Sequence, residues 1–184
     1  GSEMCIRDSN NSWTQLGDDI DGEREDDSFV TSVSLSSDGT IVAIGATGYD
    51  GSEGNNTGHV KVYKYSSGSW TQLGGDIEGE NAGDSSGYSV SLSSDGTIVA
   101  IGAFGNDAGN ANTDNRGHVR VYKRDTNVAL GWKQLGSDID GEGQDDSFGT
   151  SVSLSSDGSI VAIGAYQNDE NGSNSGQGYV RVYE

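Results

Sequence analysis

A chain of 184 residues with a formal charge of −19, from 29 acidic and 10 basic side chains, is long enough for one domain with a substantial core. It repels phosphate, which argues against nucleic acid and anionic membrane as partners and in favour of cations or basic protein surfaces. Its single cysteine, Cys5, excludes an intramolecular disulfide and a cysteine-built metal site, and no run has the length of a membrane span or the form of a signal peptide.

Residues 1–12 match nothing downstream and read as tail, with Gly1-Ser2 as the remnant of a cleaved tag. From residue 13 onward one unit is written three times. Trp13-Thr14-Gln15-Leu16-Gly17 recurs at residues 70–74 and, with one substitution, at 132–136. Fixed-period similarity on this scale marks stacked supersecondary units, with repeats over about 18–74, 75–136 and 137–184 in a domain spanning 13–184.

Each unit predicts four strands. The first covers 31–35, 88–92 and 150–154, where Val33 and Leu35 alternate with serines as on a sheet with one buried face. A Ser-Ser-Asp-Gly turn follows, its glycine free to take positive φ. The second strand covers 41–46, 98–103 and 160–165, and its nearly unbroken apolar run suits burial on both faces. Ala43, Gly45 and Ala46 are small enough for a crowded axis. The third strand covers 59–64, 118–123 and 179–183, and the fourth starts at each tryptophan and ends near the next glycine. Trp13, Trp70 and Trp132 read as packing between units.

The predicted class is all-β, a β-propeller of four-stranded antiparallel blades with three blades per chain. The chain opens on a fourth strand and closes on a third, so residues 13–17 are out of phase and suited to completing a last blade. Three blades do not close a wheel. The simplest closure is a two-fold homodimer with six blades, in which one chain's terminal strand completes the other's last blade. A trimer, or a piece of a longer array, also satisfies the count.

Phe148-Gly149-Thr150-Ser151-Val152 with Ile163-Gly164-Ala165 resembles the FG-GAP repeat proteins, whose propeller is best known from integrin alpha subunits. The second copy lacks the phenylalanine at Ser86 and the first lacks the glycine at Val30. The resemblance implies the propeller fold. It also implies a calcium loop, Asp-x-Asp-x-Asp-Gly, between the first two strands. Here that place holds only Ser36-Ser37-Asp38-Gly39 and its two counterparts, and one carboxylate is too few for a hard ion.

Strand order sorts the charge. The loops between strands two and three, and those between units, fall on one face and hold 22 of the 29 acids, against Arg24 and Arg116 as their only bases. The plain reading is a solvated surface kept soluble by charge. The sharper one gives candidate ligands for a divalent cation, Ca²⁺ above all, in Asp19 with Glu23, Asp76 with Glu80, and Asp138 with Glu142, joined by Asp27, Asp84 and Asp146. Asp50, Asp107 and Asp169 with Asn106 and Asn168 can bond sugar hydroxyls, and Phe104 and Tyr166 can stack on a sugar ring.

Catalysis has little support. His59 and His118 share a position that holds Tyr179 in the third copy, and no nucleophile is matched to a base. The expected function is therefore a non-catalytic, multivalent binding module that takes a glycan or a surface protein on its acidic loop face. The competing reading is a purely structural repeat module of a larger adhesive or surface protein. An extracellular or cell-surface setting is expected ahead of the cytoplasm.

Overall fold

The computed structural model describes residues 13–22, 28–107, 115–167 and 176–184, and every regular element among them is a strand. Three antiparallel sheets follow one another along the chain. The first runs β1 (Phe29–Leu35), β2 (Ile41–Ala46), β3 (His59–Ser66) and β4 (Ser69–Gln72), with β5 (Ile77–Glu78) also on β3. The second runs β6 (Ser89–Leu92), β7 (Ile98–Ala103) and β8 (His118–Arg124), with β9 (Trp132–Gln134) and β10 (Ile139–Asp140) both on β8. The third holds β11 (Ser151–Leu154), β12 (Val161–Ala165) and β13 (Tyr179–Tyr183), and leaves β13 as an edge. This all-β, sheet-after-sheet arrangement is propeller-like.

The Ser-Ser-Asp-Gly turns form as their chemistry dictates. Asp38 Oδ1 accepts from the Ser36 hydroxyl at 2.7 Å and from the Thr40 amide and hydroxyl at 2.9 Å, while Ser36 Oγ accepts the Ile41 amide. Asp95 and Asp157 repeat the pattern with Ser93 and Thr97, and with Ser155 and Ser159. Gly39, Gly96 and Gly158 take φ of 70°, 68° and 74°. One oxygen of the carboxylate that a cation would recruit, Oδ1, is taken up by hydroxyls and amides of its own turn.

The fourth strand is longer than expected and broken. After β4 the Leu73 amide bonds Val62 O at 2.7 Å, Gly74 turns the chain out at φ 79°, and Ile77 returns opposite Val60 as β5. The break brings each outer strand against the next. The Trp70 indole donates to Leu16 O and the Trp132 indole to Leu73 O, both at 2.8 Å. These two tryptophans do pack between units. Trp13 does not; it is 97 % exposed.

Two clusters fill the seams between sheets. The first joins Ala43, Val60 and Val62 to Val90, Leu92, Val99 and Ile101, and the second joins Ala100 and Val119 to Phe148, Val161 and Ile163. The glycines at the inner strand are the closest points. A β-carbon at Gly45 would run into the Gly87 carbonyl, and one at Gly102 into the Gly149 carbonyl, so small residues there are required for the sheets to approach. Residues 13–17 lie outside any strand and against β4, through Trp70 and Leu16, and not beside β13 of the same chain.

Candidate functional site

The two acidic loop sets do share a rim, and backbone bonds stitch them together. Gly83, Ser85 and Ser86 donate to Asn55, Asn56 and Thr57, and Ser147 and Phe148 donate to Asn115 and Arg116. Gly58 takes φ of 70°, and a β-carbon there would strike the Ser86 backbone, as one at Gly117 would strike Phe148. The phenylalanine of the third copy, Phe148, is fully buried at this point, and Ser86 fills the same place in the second.

Most of the carboxylates expected to hold a cation have protein partners. Asp19, Asp76 and Asp138 each accept from the amide of a glutamine four residues earlier, Gln15, Gln72 and Gln134, at 2.7–2.8 Å. That bond spans the break in the fourth strand. Glu80 pairs with Arg120 at 3.1 Å, and Glu142 pairs with Arg181, so each latches its unit to the next sheet. Glu23 and Asp27 lie outside the described residues. Asp84 is buried and accepts from the Glu80 and Asn81 amides and from Asn106 Nδ2. Asp146, also buried, accepts from the Gly143 amide and the Tyr179 hydroxyl.

The residues expected to meet a ligand divide. Asn106 is buried and spent on Asp84. Asp50 and Asp107 staple their own loops by accepting the amides of Asn56 and Asn115 at 2.8 and 2.9 Å. Phe104 meets Tyr88 in a tilted ring contact, centroids 4.5 Å apart and planes at 60°, whereas Tyr166 is 56 % exposed. Asn168 and Asp169 lie outside the described residues.

One cluster brings together groups that sequence reasoning had assigned separately. Glu80, His118 and Asp138 each place a ligand atom within 4.8 Å of the others, at the seam between the first two sheets. His118 is buried, its Nδ1 lies 3.9 Å from Asp138, and its Nε2 has no hydrogen-bond partner. Burial, reinforced by Arg120 and opposed by Asp138, pulls the imidazole down to about 4, so it is neutral at physiological pH. Burial also raises Glu80 against the pull of Arg120, and raises Asp84 and Asp140. One imidazole with two carboxylates suits a borderline ion such as Zn²⁺ better than Ca²⁺, but the Arg120 guanidinium already neutralises Glu80 and an ion would have to displace it. The histidine was legible as a repeated position; its neighbours became visible only once the fourth strand folded back.

Residues 138–181 match the FG-GAP repeat family. Among solved structures, the crystal structure of Saccharomyces cerevisiae Sqt1 is similar at a TM-score of 0.47 and 14 % identity, over 85 % of this chain and 35 % of that one. The chain thus spans about a third of that protein's length. No curated protein sequence matches.

Proposed function

We propose, from the FG-GAP repeat of residues 138–181, that this protein is a non-catalytic propeller module of extracellular setting that presents its acidic rim to a basic protein surface. The observation that supports this reading is the stitched rim, whose described loops are tied to one another by backbone bonds and carry Asp50, Glu53, Glu80, Glu142 and Asp145 among their carboxylates. A rigid, singly signed face attracts an oppositely charged partner and discriminates against others. A glycan is less well served, because Asn106 is buried and Phe104 is covered by Tyr88 on one side.

The structural reading draws support from the same bonds. Asp84, Glu80 and Glu142 tie unit to unit, work that needs no ligand. An immobilised lysine-rich peptide and a glycan array separate the possibilities. Retention of the protein on the peptide at low salt, lost by physiological salt and weakened by Glu53→Gln and Asp21→Asn at exposed rim positions, supports the acidic-face reading. Glycan binding that ignores salt overturns it, and no retention on either surface favours the purely structural module.

A further inference from the structure

A buried imidazole at the first seam lacks the bonds its chemistry requires. His118 is 1 % exposed at the start of β8, its Nε2 has no hydrogen-bond partner, and its Nδ1 stands 3.9 Å from Asp138 Oδ2, beyond hydrogen-bonding reach. Buried polar atoms are almost always paired, so an imidazole in this state calls for an explanation. Among the described residues it also stands at the one place where three potential metal ligands converge, with an oxygen each from Glu80 and Asp138.

The two carboxylates reach it from different sides. Asp138 precedes β10, and Gln134 of β9 donates to its Oδ1 at 2.7 Å, which leaves Oδ2 facing the histidine. A hydrogen bond behind a ligand in this way fixes its orientation in metal sites. Glu80 follows β5, on the linker that leaves the first sheet. The side chains of Asp138 and Glu80 are 30 % and 45 % exposed, so the imidazole forms a floor and the carboxylates a mouth through which a hydrated ion can enter. Asp84, Asp138 and Asp140 all act against the charge on Glu80, with Arg120 opposing them, and a cation relieves that crowding. Ligands about 2.1 Å from one ion stand no more than about 4.2 Å apart. Asp138 and His118 meet that limit at 3.9 Å, and Glu80, within 4.8 Å, is a small side-chain movement away.

The other copies show what an occupied or altered position looks like. In the first, His59 lies 3.6 Å from Asp76 Oδ2, and the Lys61 ammonium lies 3.6 Å from the same oxygen, so a side chain of the protein holds the place an ion would take. Arg120 is the counterpart of Lys61, but its longer fork reaches past Asp138 to Glu80 Oε1 at 3.1 Å and to Glu78 O at 2.8 Å. In the third copy Tyr179 replaces the histidine and donates its hydroxyl to Asp146. The second copy alone pairs an imidazole with a carboxylate that no cationic side chain has taken.

We propose that Glu80, His118 and Asp138 form a binding site for one borderline divalent metal ion of the Zn²⁺ type, and that the ion ties the linker of the first sheet to the second sheet. One imidazole nitrogen and two carboxylate oxygens suit such an ion, with water in the fourth tetrahedral position, whereas Ca²⁺ takes about six to eight oxygens. Arg120 is the competitor. The ion must take Glu80 from it, which holds the affinity below that of a site built without a guanidinium.

Calorimetric titration of the 184-residue protein with Zn²⁺ should show one saturable site per chain that excess Ca²⁺ does not displace. The Cys5 thiol is chemically able to bind zinc, so a parallel titration of Cys5→Ser should give the same affinity, and loss of binding there overturns the proposal. His59 and His118 are the only histidines, and their ring-proton NMR signals separate the positions without any substitution: Zn²⁺ should shift those of His118 and leave those of His59 in place. His118→Gln should weaken binding at least about tenfold, more than the loss of a supporting contact does. Arg120→Gln should strengthen it severalfold, and His59→Gln should change nothing. Absence of a saturable site, equal shifts at both histidines, or an affinity that survives His118→Gln overturns the proposal, the last marking zinc held by the acidic surface alone. Should the seam variants unfold, the NMR titration of the unaltered protein decides the matter.

Discussion

Val60 and Val180 occupy the same place in the repeat, yet one is wholly buried and the other is 70 % exposed. The same holds for Trp132, 2 % exposed with its indole bonded to Leu73 O, and Trp13, 97 % exposed. In each pair the local sequence is nearly identical. What differs is whether another sheet follows, so burial in this molecule is a property of the seam and not of the residue. A repeat of this kind contributes little stability alone and most of it through its neighbour.

The sharpest way to break the comparison is to truncate matched positions inside and outside a seam. Phe148→Ala empties the second cluster and should lower the unfolding free energy in urea by about 3–5 kcal/mol. Val182→Ala, on the open face, should cost less than about 0.5 kcal/mol in the single chain. Equal costs would show that the seam is not where stability resides.

The next effect is one of pH and separates the two seams. His118 stays neutral in the fold down to about 4, against an ordinary value of 6.5. Between those values the unfolded chain takes up a proton that the folded chain refuses, so stability falls as pH drops from 6.5 towards 4. The second seam has Tyr179 at that position, bonded to Asp146. His118→Tyr should therefore flatten this limb of a stability–pH profile, and an unchanged limb would move the titration elsewhere. The raised Glu80, Asp84 and Asp140 act in the opposite sense, since each is relieved by protonation, and stability gains from them as pH falls through their raised values.

A smaller difference is expected from the outer strands. Trp132→Phe removes the donor to Leu73 O and should cost about 1 kcal/mol, whereas Trp13→Phe should leave the single chain's melting unchanged. The least effect belongs to the turns. Their carboxylates are held below the ordinary range, Asp157 at about 2 by Ser155 and Ser159, so what they contribute is present at neutral pH and lost only as pH falls through those low values. Asp157→Asn should remove that small contribution at neutral pH, so that its profile runs slightly below the parent's there and meets it at the far acid end.

Much of this architecture was legible in the repeats. Alternation of Val33 and Leu35 with serines marked β1, the apolar run of 41–46 marked β2, and Ser-Asp-Gly marked the turns. The return of the fourth strand at Ile77 and Ile139 was hidden, since two residues of ladder leave no periodicity to read. The candidate site was legible only as charge. Carboxylates that looked available are bonded to residues four positions earlier or to the next sheet, and such partners depend on register and on stacking. A signal did exist: Gln15, Gln72 and Gln134 precede Asp19, Asp76 and Asp138 by four in every copy, and a basic residue stands at 61, 120 and 181. Read together, these pairs mark contacts that tie the repeats together.

Three equivalent amides report on the seams directly. Leu92 donates to Ser34 Oγ and Leu154 to Ser91 Oγ across a seam, at 2.9 Å each, and Leu35 is their counterpart at the open end. Hydrogen exchange at these amides should be slow for Leu92 and Leu154 and fast for Leu35. Three amides that exchange alike would contradict the account of a fold held by its seams.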